Sequence, residues 1–202
     1  MAEISLEDEK NPFYVTFHSI ESQIASFPAI EFEEGVRKIA PTPRPITDAY
    51  ISQDTAIKMA DQFLQNLFPN RTQSGTVSFT VNHADIPIYG ISYPDNQYIE
   101  ISQNGGYVLQ YYHAHTCSKA TYTPEEIEAM ADRIIQRLQL PNLVCVERTI
   151  DEEIANFIFV PKQDNVYLYP DMIKVQLSLD DGTLLGLDLT NYQTRQHSRI
   201  LP

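Results

Sequence analysis

The sequence predicts an α+β protein built from two tandem modules, each with one helix packed on an antiparallel β-sheet. Two segments, starting at Ile51 and Tyr122, repeat a helical pattern with Met-Ala-Asp in register. Alternating polar and apolar segments follow each helix, and each copy ends in a glycine-centred hairpin, at Gly105 and at Gly182. A repeated helix-then-strands unit indicates two small similar modules. Tandem modules of this kind bind more often than they catalyse.

Residues 1–46 are expected to form a short N-terminal helix and a proline-rich linker. Asn11 offers an N-cap and Pro12 a first-turn residue. Apolar side chains then follow at spacings of 4, 3, 4 and 3, which places them on one helix face: Phe13, Phe17, Ile20, Ile24 and Phe27. Residues 41–45 read Pro-Thr-Pro-Arg-Pro, which predicts a stiff linker and a boundary before the first module.

The first module is predicted over residues 47–118. Ser52 is the expected N-cap of its helix, whose apolar stripe consists of Ala56, Met59, Ala60, Phe63, Leu64 and Leu67. Alternating residues predict strands over 77–81 and 89–93. Two further strands, 98–102 and 107–112, are expected to pair around a two-residue turn at Asn104-Gly105.

The second module is predicted over residues 119–202. Thr123 and Glu126 stand three apart as a capping box, with Pro124 at the first helical position. Strands are predicted over residues 143–148, 156–160, 173–179 and 183–189. Asp180-Asp181-Gly182 is expected to be the turn that joins the last two.

Composition excludes several classes of function. The formal net charge of −13 argues against nucleic acid and against anionic membrane surfaces, because both are bound by clustered Lys and Arg. No apolar run approaches the roughly 18 residues that a membrane-spanning helix needs. The two cysteines, Cys117 and Cys145, make no disulfide framework, and whether they pair is left open.

Motifs of the familiar hydrolases and nucleotide-binding proteins are absent, so no catalytic residue and no cofactor are predicted. His113, His115 and Cys117 are the best metal candidates, because residues at i, i+2 and i+4 of a strand share one face. A polar strand end facing solvent is the favoured interpretation, since no fourth ligand is evident. No metal is therefore predicted.

Twelve tyrosines and no tryptophan are an unusual choice of aromatic residues. Tyrosines on strands commonly pack half-buried on the sheet, which is the favoured interpretation. The alternative is an exposed aromatic surface of the kind enriched in interfaces, with Tyr93, Tyr107 and Tyr111 as candidate partner contacts. Acidic residues around such a surface would favour a basic partner.

The repeat resembles a known family. Helices with a Ser or Thr cap, followed by hairpins reading Gly-Gly-x-Val and Asp-Gly-x-Leu, resemble the PepSY domain. The ordered segments 169–175, 181–187, 191–192 and 199–202 resemble the C-terminal region of the YpeB family of spore germination proteins. Residues 27–30 and Gly35 resemble the end of that family's N-terminal region, so the resemblance runs from about Phe13 onward.

The resemblance implies a regulatory role without catalysis in spore germination. Proteins of this family work with a cortex-lytic hydrolase of the SleB type, and their PepSY modules are proposed to hold it inactive until germination. Family members also carry an upstream membrane anchor and a further PepSY-like unit. The sequence is therefore expected to be a soluble fragment, acting in the spore envelope at the outer face of the inner spore membrane or in the cortex.

Other functions remain open from the sequence. One alternative is a protease-inhibitory module, like the PepSY units of metalloprotease propeptides, which would also act by binding a protein without catalysis. A ligand sensor with its pocket between the two modules is a second alternative. A metalloenzyme using His113, His115 and Cys117 is the least favoured.

Overall fold

We describe the protein from a computed structural model, which defines residues 48–83 and 86–195. These residues fall within one compact unit, Pro41–Pro202. The predicted N-terminal helix and the linker at residues 41–45 lie outside the described residues.

The first repeat contains one helix and four strands, as predicted. They are α1 (Gln53–Leu67), β1 (Thr76–His83), β2 (Ile86–Tyr93), β3 (Gln97–Ser102) and β4 (Val108–His113). The hydroxyl of Ser52 accepts a hydrogen bond from the backbone N–H of Thr55 at 3.2 Å, which confirms the predicted N-cap.

The second repeat begins with α2 (Pro124–Arg137), whose capping box is formed as predicted by Thr123 and Glu126. The strands are β5 (Leu143–Ile150), β6 (Ile154–Gln163), β7 (Val166–Tyr167), β8 (Ile173–Ser178) and β9 (Leu184–Asp188). A 3-10 turn (Tyr169–Asp171) precedes β8, and α3 (Thr190–Arg195) follows β9. Three of these elements, β7, the 3-10 turn and α3, are too short to show a period in the sequence.

All the strands belong to one antiparallel sheet in the order β1-β2-β3-β4-β9-β8-β6-β5, with β7 paired to β6. The repeats meet where β4 pairs with β9, through Tyr111 opposite Leu187 and Tyr112 opposite Gly186. The α+β class is confirmed, and the sheet continues without a break across the predicted module boundary at residues 118 and 119.

The helices cover one face of this sheet and close a shared core. Ala60 of α1 and Ala131 of α2, equivalent positions in the repeat, are both fully buried in it. Small residues at these positions let each helix approach the sheet closely. At the helix ends, the guanidinium of Arg137 donates to the carbonyl oxygen of Leu67, so the C-terminus of α2 caps that of α1.

The first hairpin differs from the predicted two-residue turn. The N–H of Ser102 donates to the carbonyl of Tyr107 at 2.9 Å, so residues 103–106 form a four-residue loop. Asn104 and Gly105 bind the chain before α1. The side-chain amide of Asn104 donates to the carbonyl of Asp48, and the N–H of Gly105 donates to the carbonyl of Ala49. The four-residue loop thereby docks on the segment that precedes α1.

Each hairpin contains a glycine that lies under a methionine of its own helix. Gly106 has φ of 72°, and a Cβ added there would lie 2.5 Å from the sulfur of Met59. Gly182 has φ of 74°, and an added Cβ would collide with the side chain of Met130. Met59 and Met130 are the methionines of the two Met-Ala-Asp segments, so this contact accounts for the methionine of the repeated motif.

Candidate functional site

Tyr93, Tyr107 and Tyr111, the candidate contacts under the alternative interpretation, occupy different environments. Tyr93 and Tyr111 are 6% and 3% exposed and belong to the core. Their burial removes both from the set of surface residues, because β2 and β4 turn these side chains towards the helices. Tyr107 is partly exposed in the first hairpin, and its hydroxyl donates to Oδ2 of Asp48 at 2.7 Å. Tyr107 alone of the three stays a candidate contact.

Asp61 of α1 holds the buried tyrosine in place. Its Oδ1 accepts from the Tyr93 hydroxyl at 2.8 Å and from the N–H of Gly75 at 3.0 Å, and its Oδ2 accepts from the Ser74 hydroxyl at 2.6 Å. Burial, followed by the hydrogen bond to Asp61, raises the pKa of Tyr93 far above its ordinary value, so the phenol stays protonated and donates. Asp61 belongs to the repeated Met-Ala-Asp segment, but no neighbouring residue in the sequence indicates this role.

An open groove of about 440 Å³ lies between α1, the first hairpin and α3. Its apolar lining comes from Met59 and Phe63 of α1 and from Tyr107 and Val108 of the hairpin. Polar residues of α1 and Gln193 of α3 complete the lining. Apolar surface beside polar groups is typical of a site that binds a segment of another molecule. Residues of both repeats contribute to it.

A row of aromatic residues lies on the sheet face that points away from the helices. The rings of Phe79 and Tyr98 are 6.2 Å apart, and those of Tyr98 and Tyr112 are 5.9 Å apart. Phe79 and Tyr112 are 41% and 44% exposed. The Phe79 ring reaches Tyr98 because Gly90, on the strand between them, leaves room for it. This row is exposed, and alternation along the sequence does not distinguish it from the buried tyrosines.

The weak metal candidates His113, His115 and Cys117 do not share one strand face, because β4 ends at His113. The rings of His113 and His115 are 5.8 Å apart. Partial burial, followed by the charge of His115, lowers the pKa of His113 from its ordinary value. Cys117 and Cys145 are both free thiols.

His115 instead faces the second hairpin. Its Nε2 lies 3.6 Å from Oδ1 of Asp180 and 3.6 Å from Oδ2 of Asp181. Each of these three residues offers a ligand atom within 4.8 Å of the others. Asp-Asp-Gly alone predicts an ordinary turn, because no neighbouring residue links Asp180 to a histidine 65 positions earlier.

Asp180 ties the connection between the repeats to the second hairpin. Its Oδ2 accepts from the N–H and the hydroxyl of Ser118, at 2.9 and 2.8 Å. Its Oδ1 accepts from the hydroxyl of Ser178 and from the N–H of Asp181. The hydrogen bond from Ser178, followed by those from Ser118 and Asp181, holds the pKa of Asp180 well below its usual range.

This depressed pKa predicts a specific loss of stability in acid. A carboxyl whose pKa is lower in the folded state contributes stability above its unfolded pKa, about 3.9, and loses it as pH falls below that value. Urea unfolding at about pH 7 and about pH 3 should therefore show a larger loss for the wild type than for Asp180→Asn, which cannot titrate. Parallel losses in the two proteins would contradict this role of Asp180.

Over the described residues, no helix combines the length and the apolar character that a membrane crossing requires.

Comparison with known proteins gives a consistent result. Residues 14–202 match the family described as "YpeB sporulation, PepSY1 and PepSY2 domains". Sporulation protein YpeB of Halalkalibacterium halodurans is 28% identical over 128 residues, which cover 62% of this chain and 29% of that protein. Sporulation protein YpeB of Bacillus subtilis is 25% identical over 160 residues, covering 75% of this chain and 34% of that protein.

Among solved structures, the Bacillus megaterium YpeB C-terminal domain superposes with a TM-score of 0.63 at 26% sequence identity. The match covers 76% of this chain and 69% of that one. The matched part thus accounts for most of a solved domain but for about a third of the length of the curated relatives.

Proposed function

The chain belongs to the YpeB family of sporulation proteins, and from that premise we propose that it binds a cortex-lytic hydrolase of the SleB type and restrains or stabilises it until germination. The family match over residues 14–202 carries this proposal, because it includes nearly the whole chain. The role in sporulation and germination follows from the family itself. The partner, the restraint and the absence of any chemistry of its own are the proposed parts.

The architecture supports a steric mechanism. The nine-stranded sheet runs through both repeats, and the helix ends are joined by the Arg137 contact. A body built in this way can cover a large surface of a second protein without rearranging, which lowers the entropic cost of binding. The net charge of −13 favours a basic surface on the partner and speeds the encounter.

We propose the groove beside α1 as the main contact, with an apolar segment of the hydrolase as its occupant. A groove excludes water from a contact better than the exposed aromatic row on the other face, and interface residues with the largest effects lie in such sheltered positions. Tyr107 is the residue of this groove whose type is enriched at interface positions with large effects on affinity. Its ring is large and loses few rotamers on binding.

Tyr107→Ala should therefore weaken binding of the purified hydrolase by about tenfold or more, measured by isothermal titration calorimetry. Tyr112→Ala is the matched control, because it removes an exposed tyrosine from the opposite face of the sheet. Its affinity should stay within about twofold of wild type. If Tyr107→Ala keeps full affinity while Tyr112→Ala loses it, the aromatic row is the contact and the groove is not.

We also propose that the protein acts in the spore envelope, at the outer face of the inner spore membrane or in the cortex. The curated relatives of the same family are sporulation proteins, which supports this location. Immunoblots of fractionated dormant spores should find the protein with the inner membrane and cortex fractions. Recovery from the core fraction alone would contradict the proposal.

A further inference from the structure

The junction of His115 with Asp180 and Asp181 has the composition of a cation site. Imidazole nitrogen together with carboxylate oxygen is a ligand set that suits borderline divalent ions, with Zn²⁺ as the most common example. His115 comes from the connection between the repeats, and the two aspartates come from the turn between β8 and β9. The three ligands therefore converge from two separate parts of the chain.

The distances between these ligand atoms fit a shared ion better than a direct contact. Two ligands about 2.1 Å from a tetrahedral ion lie about 3.4 Å apart. The Nε2 of His115 lies 3.6 Å from an oxygen of each aspartate, close to that separation. It is too far from either oxygen for a good hydrogen bond.

The Nε2 atom of His115 lacks a hydrogen-bond partner within the described part of the chain, which is a second observation that points to a cation. The Nε2 atom is buried and has no hydrogen-bond partner among the described residues, although it points between two carboxylates. A buried polar atom without a hydrogen-bond partner is costly, and a bound cation is one way to satisfy it. A cation between the three groups would satisfy this atom.

The surrounding hydrogen bonds orient the two carboxylates. Ser118 holds Oδ2 of Asp180 with two bonds, and Oδ1, which faces the histidine, also accepts from the hydroxyl of Ser178 and the N–H of Asp181. The N–H of Thr183 holds Oδ1 of Asp181 at 2.8 Å, which leaves Oδ2 facing the histidine. Metal-binding carboxylates are commonly fixed in this way by a second layer of hydrogen bonds.

We propose that His115, Asp180 and Asp181 bind one divalent transition-metal ion of the Zn²⁺ class, with water completing its coordination. Asp181 is about half exposed, so the site is open to solvent on that side. The ion would fasten the connection between the repeats to the second hairpin, in addition to the hydrogen bonds from Ser118. The bound ion would therefore be structural, and the proposal does not depend on the hydrolase being the partner.

The test is titration of the tag-free protein, stripped with a chelator, with ZnCl₂ at about pH 7 in a calorimeter. The wild type should take up one equivalent at this site, and Zn²⁺ should raise its Tm. His115→Ala should weaken that binding by about tenfold or more, and Asp181→Asn should do the same while keeping an oxygen for the Thr183 N–H. Far-UV circular dichroism and Tm without metal establish that each variant is folded.

His113→Ala is the matched control, because His113 is the neighbouring histidine and is not one of the three proposed ligands. It should bind Zn²⁺ like the wild type, within about twofold. The proposal is overturned if the wild type shows no saturable binding, or if His115→Ala and Asp181→Asn both bind Zn²⁺ as tightly as the wild type. Loss of binding in His113→Ala with retention in His115→Ala would equally reject this ligand set.

Discussion

Asp61→Ala should destabilise the protein by about 2–3 kcal/mol, because it leaves the buried Tyr93 hydroxyl and the Gly75 N–H without their acceptor. Tyr93 is only 6% exposed, so water cannot fully replace the lost carboxylate. The substitution also frees the start of β1 from α1, since Ser74 and Gly75 hold the chain there through the same side chain.

The second repeat provides a matched control for this effect. Asp132 occupies the equivalent helix position in Met-Ala-Asp, but it is exposed to solvent. Asp132→Ala makes the same change in helix propensity, so it should change the free energy of unfolding by no more than about 0.5 kcal/mol. Urea unfolding followed by circular dichroism gives both values. Equal effects at Asp61 and Asp132 would show that the hydrogen bonds of Asp61 contribute nothing beyond helix propensity.

Gly182→Val should destabilise the protein by about 2–4 kcal/mol, from two additive causes. The backbone there has φ of 74°, a conformation that β-branched residues adopt only with strain. A side chain would also meet Met130, whose sulfur lies 2.8 Å from the position of an added Cβ. Met130 can move aside, but the backbone strain remains.

Gly186→Ala is the control for this prediction. Gly186 lies in β9, its φ is not in the left-handed region, and an added Cβ would find Gln176 at an ordinary 3.6 Å. Its stability should stay within about 0.5 kcal/mol of wild type. Thermal unfolding of both variants measures the difference, which for a protein of this size corresponds to about 5–15 °C in Tm at Gly182. A Gly182→Val protein as stable as wild type would show that this turn adopts another conformation in solution.

Features governed by neighbouring residues were predictable from the sequence. The caps at Ser52 and Thr123 form as expected, because a hydroxyl and the N–H three residues later suffice to define them. The hairpin through Gly182 was also predicted, since Asp-Asp-Gly specifies a turn wherever the flanking strands pair. The repeated Met-Ala-Asp indicated two similar modules, whereas the contact between methionine and glycine in each became evident only in the structure.

Features governed by distant residues were not predictable. Alternation along a strand separates two faces but does not say which face the helices cover, so Tyr111 could not be distinguished from Tyr112. The first hairpin was predicted too short because its loop docks on residues 48–51, more than 50 positions earlier. His115 and Asp180 meet only because β4 and β9 pair, and the candidate cation site depends on that pairing.

Hydrolysis of spore cortex by the cognate SleB-type enzyme, with and without this protein, tests the proposed function most directly. The account predicts that a stoichiometric amount of the protein slows release of cortex fragments and that the two proteins co-elute as a stable complex. Tyr107→Ala should relieve the inhibition, and Tyr112→Ala should not. Unchanged hydrolysis together with separate elution of the two folded proteins would contradict the account.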